Sequence, residues 1–138
     1  MPIDFIIKNW ELFLALVVIL ALFAAGPLMQ FVHGIRNIGP MQAVQLVNRE
    51  GGVFVDVCQP EEYKAGHIPN SLNVPLASLR QPPKQLEKYK GKPVIVSCRS
   101  GNRSVKGAVM LRKQGFQAVY SLSGGLAGWQ RDNLPLEK

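Results

Sequence analysis

The sequence predicts an α/β domain with helices on both faces of a parallel sheet, preceded by one N-terminal transmembrane helix. Three observations support this prediction. Short β-rich apolar runs alternate with segments of helical pattern after residue 40, as in parallel α/β folds. The strongest of these runs show little polar alternation, as expected of strands that are buried on both faces. Before them, Leu12–Met29 forms a run of 18 uncharged residues, which is long enough to cross a bilayer.

The uncharged run is interpreted as an uncleaved membrane anchor. At 1.5 Å per residue it would span roughly 27 Å, and Trp10 precedes it where tryptophan is enriched at membrane interfaces. A cleaved secretory signal is the alternative, because Phe23-Ala24-Ala25 resembles a cleavage site. The length of the run and the lack of net positive charge before it favour the anchor. We therefore expect an anchor at 1–32, a linker at 33–39 and the domain at 40–138.

Positive charge is concentrated in the domain. The chain has a net charge of +7, and the part after the anchor holds 15 of its 16 basic and 7 of its 9 acidic residues. Lys8 lies on one side of the apolar run, whereas Arg36 and Arg49 lie on the other. This asymmetry predicts a single-pass protein of the cell (inner) membrane with a cytoplasmic domain. A basic surface suits anionic lipid headgroups or a small anionic substrate, and the scattered basic residues argue against nucleic acid as a partner.

The elements of the domain follow from local patterns. Strands are predicted at 53–57, 72–74, 94–97 and 118–122. Helical segments are predicted at 41–48, 60–63, 76–79, 85–89 and 104–114, with a last helix entered from Gly124-Gly125. The segment from Gly34 to Pro40 is read as part of the linker.

The chemistry of the chain is expected at Cys98. This residue ends an apolar strand and opens a short loop, Cys98–Ser104, before a helical pattern. Such a turn gathers backbone N–H groups and the positive end of a helix dipole, and with Arg99 and Arg103 these favour a thiolate. Ligands also bind at the C-terminal ends of strands in open α/β sheets, so we expect the sulfur to be reachable at the mouth of the sheet. A buried structural cysteine is the alternative, but it needs neither two arginines nor the conformational freedom of Gly101.

The remaining loop residues have supporting roles in this hypothesis. Arg103 is expected to bond to loop carbonyls or to an acidic partner and so hold the loop open. Arg99 is expected to point outward, towards an incoming anion. Ser100, Asn102 and Ser104 offer side-chain hydrogen bonds, and a simple N-cap is the alternative for Ser104. Metal-ligand spacing is absent from the sequence, so no metal is expected.

Four motifs in order resemble one family. The loop Cys98-Arg99-Ser100-Gly101-Asn102-Arg103-Ser104 resembles the C-x-x-G-x-R-S active loop of single-domain rhodaneses. Residues 55–57 with 61–63 resemble the family's D-V-R-x-x-x-E-Y region, and 66–75 resemble G-H-I-x-G-A-x-N-I-P. Gly124-Gly125 with Trp129 resembles the G-G-x-x-x-W ending. The resemblance covers residues 38–136, almost the whole domain.

The resemblance implies a rhodanese-type sulfurtransferase that works through a persulfide on Cys98. A small anionic donor such as thiosulfate would supply the sulfur, a thiol or cyanide would accept it, and no cofactor is implied. The resemblance also implies that backbone amides activate the cysteine and that His67 supports a loop. A general-base role is the alternative for His67, because histidine near a thiol can take its proton. Asp56 is expected to organise the loops around the site.

Two residues depart from the family's pattern. Cys58 stands where arginine is common, and Asn70 stands where glycine is frequent. Loss of the arginine would weaken an ion pair near the site. Cys58 is either a packed residue without a redox role or a second thiol that attacks the persulfide. A disulfide between Cys58 and Cys98 would disable the thiolate, so a reducing compartment is expected.

Two other functions stay open at this point. Cysteine-dependent phosphatases use Cys-x5-Arg, which is one residue longer than the spacing from Cys98 to Arg103. The shorter loop therefore favours sulfur transfer. The non-enzyme alternative is a membrane-tethered adaptor that uses this fold to bind a partner. In either case residues 12–29 would contact membrane lipid, and a membrane-protein partner is expected because tethering raises the local concentration.

Overall fold

Five parallel strands form the centre of the domain. The computed structural model describes residues 3–32 and 35–138, and within 25–32 it describes the backbone alone. The strands are β1 (Arg36–Ile38), β2 (Val53–Asp56), β3 (Leu72–Asn73), β4 (Pro93–Ser97) and β5 (Ala118–Leu122). Their order in the sheet is β1-β5-β4-β2-β3, and every pairing is parallel. All strands therefore begin on one side of the sheet and end on the opposite side. We call the side with the N-terminal ends of the strands the starting edge and the side with their C-terminal ends the ending edge.

Helices precede, connect and follow these strands. They are α1 (Ile3–Lys8), α2 (Trp10–Val32), α3 (Pro40–Glu50), α4 (Pro60–Ala65), α5 (Lys84–Glu87), α6 (Asn102–Lys113) and α7 (Gly125–Arg131), with a 3-10 helix at Leu76–Arg80. Proline at the first position starts α3 and α4, because its fixed φ suits a helix start and its missing N–H costs nothing there.

Alternate residues of the central strands pack into two separate cores. Val55 and Val96 lie in the core that includes α6. Phe54 and Ile95 lie in the core that includes α3 and α7, where the rings of Phe54 and Trp129 meet edge to face at 5.4 Å. Burying each such side chain stabilises the fold by about 1.5–3 kcal/mol. The predicted parallel sheet with helices on both faces is confirmed.

Residues 36–38 belong to the sheet, whereas the sequence places them in a linker. They form the edge strand β1, which pairs in parallel with β5. Two of its three residues are exposed and one, Ile38, is buried. So short a strand leaves no readable alternation of polar and apolar residues. The linker prediction is therefore wrong for 36–38, while 33–34 lie outside the described residues.

The predicted anchor falls in α1 and α2. Large apolar side chains are exposed here, with Leu12 at 70% and Phe23 at 79%. Among the residues that the structure describes, none of the helices is both long and apolar enough to cross a membrane. Residues 25–29 of the predicted span lie outside the described side chains. The transmembrane helix therefore stays a prediction.

Candidate active site

The ends of β2 and β4 bring two cysteine-containing loops side by side at the ending edge. The two strands pair in register up to Asp56 and Ser97, and the Val57 N–H donates to the Ser97 carbonyl at 3.0 Å. Cys98 follows β4 directly, and Cys58 lies two residues after β2. Both are free thiols. The expectation that Cys98 lies at the C-terminal end of a central strand is met.

The Cys98 loop turns a backbone donor towards the sulfur. Gly101 has a φ of +101°, a conformation that glycine adopts without steric cost. Its N–H donates to Cys98 Sγ at 3.0 Å, and Gly101 is also the N-cap of α6. The Ser104 hydroxyl donates to the Gly101 carbonyl at 2.8 Å, so this side chain closes the loop from inside the helix. Because α6 begins at Asn102, the alternative of Ser104 as an N-cap is wrong.

The start of α7 supports the same loop from behind. The N–H groups of Leu126 and Ala127 donate to the carbonyls of Cys98 and Arg99 at 2.8 and 3.2 Å. These bonds turn the two carbonyls towards α7, so the N–H groups of the same peptide units point the other way. A Cβ on Gly125 would lie 2.2 Å from the Cys98 carbonyl oxygen, which allows only glycine at this contact. The sequence marked Gly124-Gly125 as a motif but gave it no role in the site.

An ion pair joins α4 to the start of α6. Two guanidinium nitrogens of Arg103 donate to the two carboxylate oxygens of Glu62, at 2.7 and 2.9 Å. The Gln59 N–H also donates to this carboxylate. The hydrogen bonds from Arg103 lower the pKa of Glu62 to about 2, and they raise the pKa of Arg103. Arg103 therefore has the acidic partner that its position led us to expect, although the sequence did not identify Glu62 as that partner.

The outer face of the loop is polar and exposed. The Arg99 side chain is 62% exposed, with Nε 3.5 Å from Glu62 Oε2, and Ser100 and Asn102 are also exposed. Beside them lies a cavity of about 300 Å³, lined by Glu62, Ala65, Gly66, Arg99, Leu126, Ala127, Gln130 and Leu136. Arg99 thus points outward, as its position in the loop led us to expect, and it also lines this cavity.

Cys98 itself is enclosed, with 1% of its surface exposed. The sequence led us to expect a sulfur that is open at the mouth of the sheet, and this expectation is wrong for the described state. The reason is packing: Cys98 belongs to the core cluster that also contains Val57, Cys58 and Val96. A substrate can reach Sγ only when some of the groups around it move.

Cys58 lies in a different environment. Its N–H donates to Asp56 Oδ1 at 2.8 Å, and 1% of the residue is exposed. Burial, followed by the charge of Asp56, raises the pKa of Cys58 to about 12. A thiol with so high a pKa is protonated at neutral pH, and a protonated thiol is a poor nucleophile. The geometry therefore favours the interpretation of Cys58 as a packed residue.

Asp56 connects the end of β2 to its neighbours. The residue is fully buried, and burial raises its pKa. Its carbonyl accepts hydrogen bonds from the Val74 N–H at 2.9 Å and from Asn73 Nδ2 at 3.2 Å. Together with the bond to Cys58, these contacts hold the β2 and β3 ends together, which is the organising position expected of Asp56.

His67 contacts a loop and the C-terminal segment. Its ring stacks on Tyr63 with centroids 3.7 Å apart, and Nδ1 lies 2.8 Å from the Tyr63 carbonyl oxygen. Its backbone forms an antiparallel bridge with Glu137. These contacts place His67 as a loop support.

Nearby, Asn70 has a φ of +64°, which explains why asparagine is accommodated where the family frequently has glycine.

Fold and site together define a parallel α/β protein with a cysteine loop at the start of a helix. The family model of the rhodanese-like domain matches residues 40–132. The chain is 41% identical over 96 residues to the uncharacterized protein YibN of Escherichia coli, covering 69% of this chain and 67% of that protein. It is 35% identical over 95 residues to the thiosulfate sulfurtransferase GlpE of Pseudoalteromonas translucida, covering 69% and 89%. The crystal structure of a rhodanese-related protein from Thermoplasma volcanium matches with a TM-score of 0.64 at 27% identity, over 74% and 97% of the two chains. The chain belongs to the rhodanese-like domain family.

Proposed function

We propose that this chain is a sulfurtransferase that carries sulfane sulfur on Cys98 at a membrane. The catalytic part of the proposal rests on one observation. The Gly101 N–H, at the start of α6, donates to Cys98 Sγ at 3.0 Å. A fixed N–H dipole and the positive end of a 12-residue helix stabilise negative charge on a thiolate and on a persulfide. The thiosulfate sulfurtransferase among the relatives supports thiosulfate as the class of donor.

The reaction consists of two nucleophilic displacements. In the first, the Cys98 thiolate attacks the outer sulfur of thiosulfate. The Cys98 Sγ–S bond forms, the S–S bond of thiosulfate breaks, and sulfite leaves with the electron pair. In the second, cyanide or a thiolate attacks the terminal sulfur of the persulfide, and the Cys98 thiolate leaves. The first acceptor gives thiocyanate and the second gives a new persulfide.

The other residues of the Cys98 loop bind the donor or position the loop. Arg99 is exposed and attracts the anionic donor, whereas Arg103 is held by Glu62 and positions the loop. Ser104 holds the carbonyl of Gly101, the residue whose own N–H donates to the sulfur. Because Cys98 is 1% exposed, some of the groups around its sulfur move aside in each half-reaction.

The test combines an assay with mass spectrometry. Thiocyanate formation from thiosulfate and cyanide is measured beside hydrolysis of a phosphate monoester. The peptide that contains Cys98 should gain about 32 Da, one sulfur, after thiosulfate treatment, and the peptide with Cys58 should not, because thiolate character selects the site. Phosphatase activity without sulfur transfer, or the added sulfur on Cys58, would contradict the proposal.

The membrane part of the proposal rests on the N-terminal residues. The 18 uncharged residues from Leu12 to Met29 and the exposed apolar side chains before residue 24 support an anchor at 1–32. The domain would lie in the cytoplasm, next to a membrane-protein partner. The full chain should stay with the membrane pellet in alkaline carbonate, and external protease should digest the domain in inside-out vesicles but not in right-side-out cells. Release by carbonate would contradict the anchor.

A further inference from the structure

Three turns meet at the starting edge of the sheet, opposite the active site. They lead into β2, β4 and β5. The Gln117 N–H donates to the Lys90 carbonyl at 3.0 Å, and Lys90 Nζ lies 5.9 Å from the centre of the Phe116 ring. The Lys92 ammonium lies 3.8 Å from the place that a Cβ on Gly51 would take. These contacts join the ends of α3 and α6 to the turn before β4.

Basic side chains dominate this edge. Six of them are exposed, and we call them the basic edge: Arg49, Lys88, Lys90, Lys92, Arg112 and Lys113. The same turns contain two acidic residues, Glu50 and Glu87. Within 3–32 and 35–138, none of the six forms a salt bridge. The positive charge of this edge is therefore available to an external anion, whereas Arg103 at the opposite edge is paired with Glu62.

The aromatic rings at this edge are not available for stacking. Lys88 and Lys92 lie over the Tyr89 ring at 5.3 and 6.0 Å from its centre, and Phe116 is buried. Proteins that bind single-stranded nucleic acid present open aromatic faces to the bases. A polyanion that is recognised by charge alone suits this edge better.

The first strand of the sheet also begins on this side. The apolar helix α2 precedes β1 in the sequence, and β1 runs parallel to its neighbours. The first residue of β1, Arg36, therefore lies at the starting edge. An anchor and a cluster of lysines on one side of a domain is the arrangement that holds a protein against an anionic leaflet.

We propose that the basic edge docks on anionic lipid headgroups and sets the orientation of the domain on the membrane. This rests on the membrane part of the proposed function. The active site then faces away from the lipid, since β4 runs for five residues, or roughly 16 Å, between the two edges. A soluble donor would reach the Cys98 loop without crossing the headgroup layer.

The experiment uses the full chain with vesicles of phosphatidylcholine alone or with added phosphatidylglycerol. Binding is measured by flotation, and a water-soluble acetylating reagent then labels lysines for mass spectrometry. In the anionic vesicles Lys90 and Lys92 should be protected, while Lys64 and Lys106, which are exposed on elements after β2 and β4, should label equally in both. High salt should remove the protection, because headgroup attraction is screened.

Charge reversal provides the matched comparison. Each lysine near an anionic surface contributes about fivefold to the local binding constant. Lys90→Glu with Lys92→Glu should therefore weaken docking about 25-fold or more. Lys64→Glu with Lys106→Glu changes the net charge equally and should leave docking intact. Thiocyanate formation should be unchanged in both variants, because none of the four lysines belongs to the Cys98 loop.

The outcomes separate this proposal from the others. Flotation with both kinds of vesicle but equal labelling of Lys90 and Lys92 would overturn the docking and leave the anchor standing. Failure to float with either kind would overturn the anchor and the docking together, while the sulfur-transfer assay stands apart from both. Protection of the same lysines by single-stranded RNA, without protection by lipid, would assign the edge to nucleic acid and overturn the proposal.

Discussion

The two cysteines occupy nearly equivalent places in the fold and yet differ in chemistry. Cys98 and Cys58 follow neighbouring parallel strands at the same edge of the sheet, and each is 1% exposed. A backbone N–H points at the sulfur of Cys98, whereas the buried carboxyl group of Asp56 lies beside Cys58. The loop after Cys98 leads into a helix of 12 residues, and the one after Cys58 leads into a helix of 6.

The comparison shows that the groups around a thiol decide its reactivity more than its place in the sheet does. Donors that face a sulfur favour the charged form, and a neighbouring carboxylate opposes it. Burial alone would make both residues inert. The fold thus supplies two sites at one edge, and the loop sequences make one of them the candidate nucleophile.

Replacing each cysteine with serine is the strongest test of this difference between the two thiols. Cys98→Ser should reduce thiocyanate formation by at least about 10³-fold, because a serine hydroxyl cannot carry the sulfane sulfur. Cys58→Ser should retain more than about half of the activity, since its thiol stays protonated. Equal losses in the two variants would show that both sulfurs take part in turnover.

The support behind the Cys98 loop gives the next largest effect. Gly125→Ala places a Cβ 2.2 Å from the Cys98 carbonyl oxygen, so the loop must shift. A displacement of about 1 Å can cost on the order of 100-fold in rate, and we expect a loss of that size in kcat. Gly91→Ala is the matched control, because a Cβ there would meet nothing within 4 Å. Circular dichroism should show both variants folded, and full activity of Gly125→Ala would rule out the supporting role of α7.

Replacing the two arginines of the Cys98 loop separates the positioning role from the anion-attracting role. Arg103→Ala removes a two-pronged ion pair with Glu62 and should lower kcat/KM by about 30-fold, or about 2 kcal/mol. Arg99 is 62% exposed, so Arg99→Ala should mainly raise KM for thiosulfate, by about threefold. Steady-state kinetics of both variants checks the order. The reverse order would mean that the positioning and anion-attracting roles are exchanged.

The smallest expected effect is on stability at low pH. The pKa of Glu62 in the folded chain is about 2, below its ordinary value of 4.5, because Arg103 bonds to the carboxylate. A lowered pKa means that this carboxylate contributes its stability above pH 4.5 and loses it as the pH falls towards 2. In urea unfolding, Glu62→Gln should lose stability at pH 6 and follow the parent chain more closely near pH 2. A constant difference across this range would contradict the assignment.

The sequence predicted the elements whose patterns are long and local. The strand at 118–122 has the predicted bounds, and β2 and β4 differ from the prediction by one residue each. The strand at 36–38 was missed because three residues at an edge carry too little pattern. The position of Cys98 could be predicted because strand, loop and helix are contiguous in the sequence.

Contacts between distant segments could not be predicted in the same way. The pairing of Glu62 with Arg103 joins residues 41 apart, and nothing in the local pattern selects Glu62 over Glu61. The support from α7 depends on backbone atoms of Leu126 and Ala127, which no side-chain motif reports. The hydrogen bond from the Gly101 N–H to Cys98 Sγ accompanies a positive φ at Gly101, a conformation that glycine permits but does not require.

The enclosed sulfur has a consequence for damage as well as for turnover. Under the proposed function, a persulfide on Cys98 would form at a residue of which 1% is exposed, so solutes would reach it only when its surroundings open. With rapid opening and closing, oxidation by hydrogen peroxide should be slowed in proportion to the fraction of time that the site is open. An enclosed site of this kind would therefore also protect the bound sulfur while it waits for an acceptor.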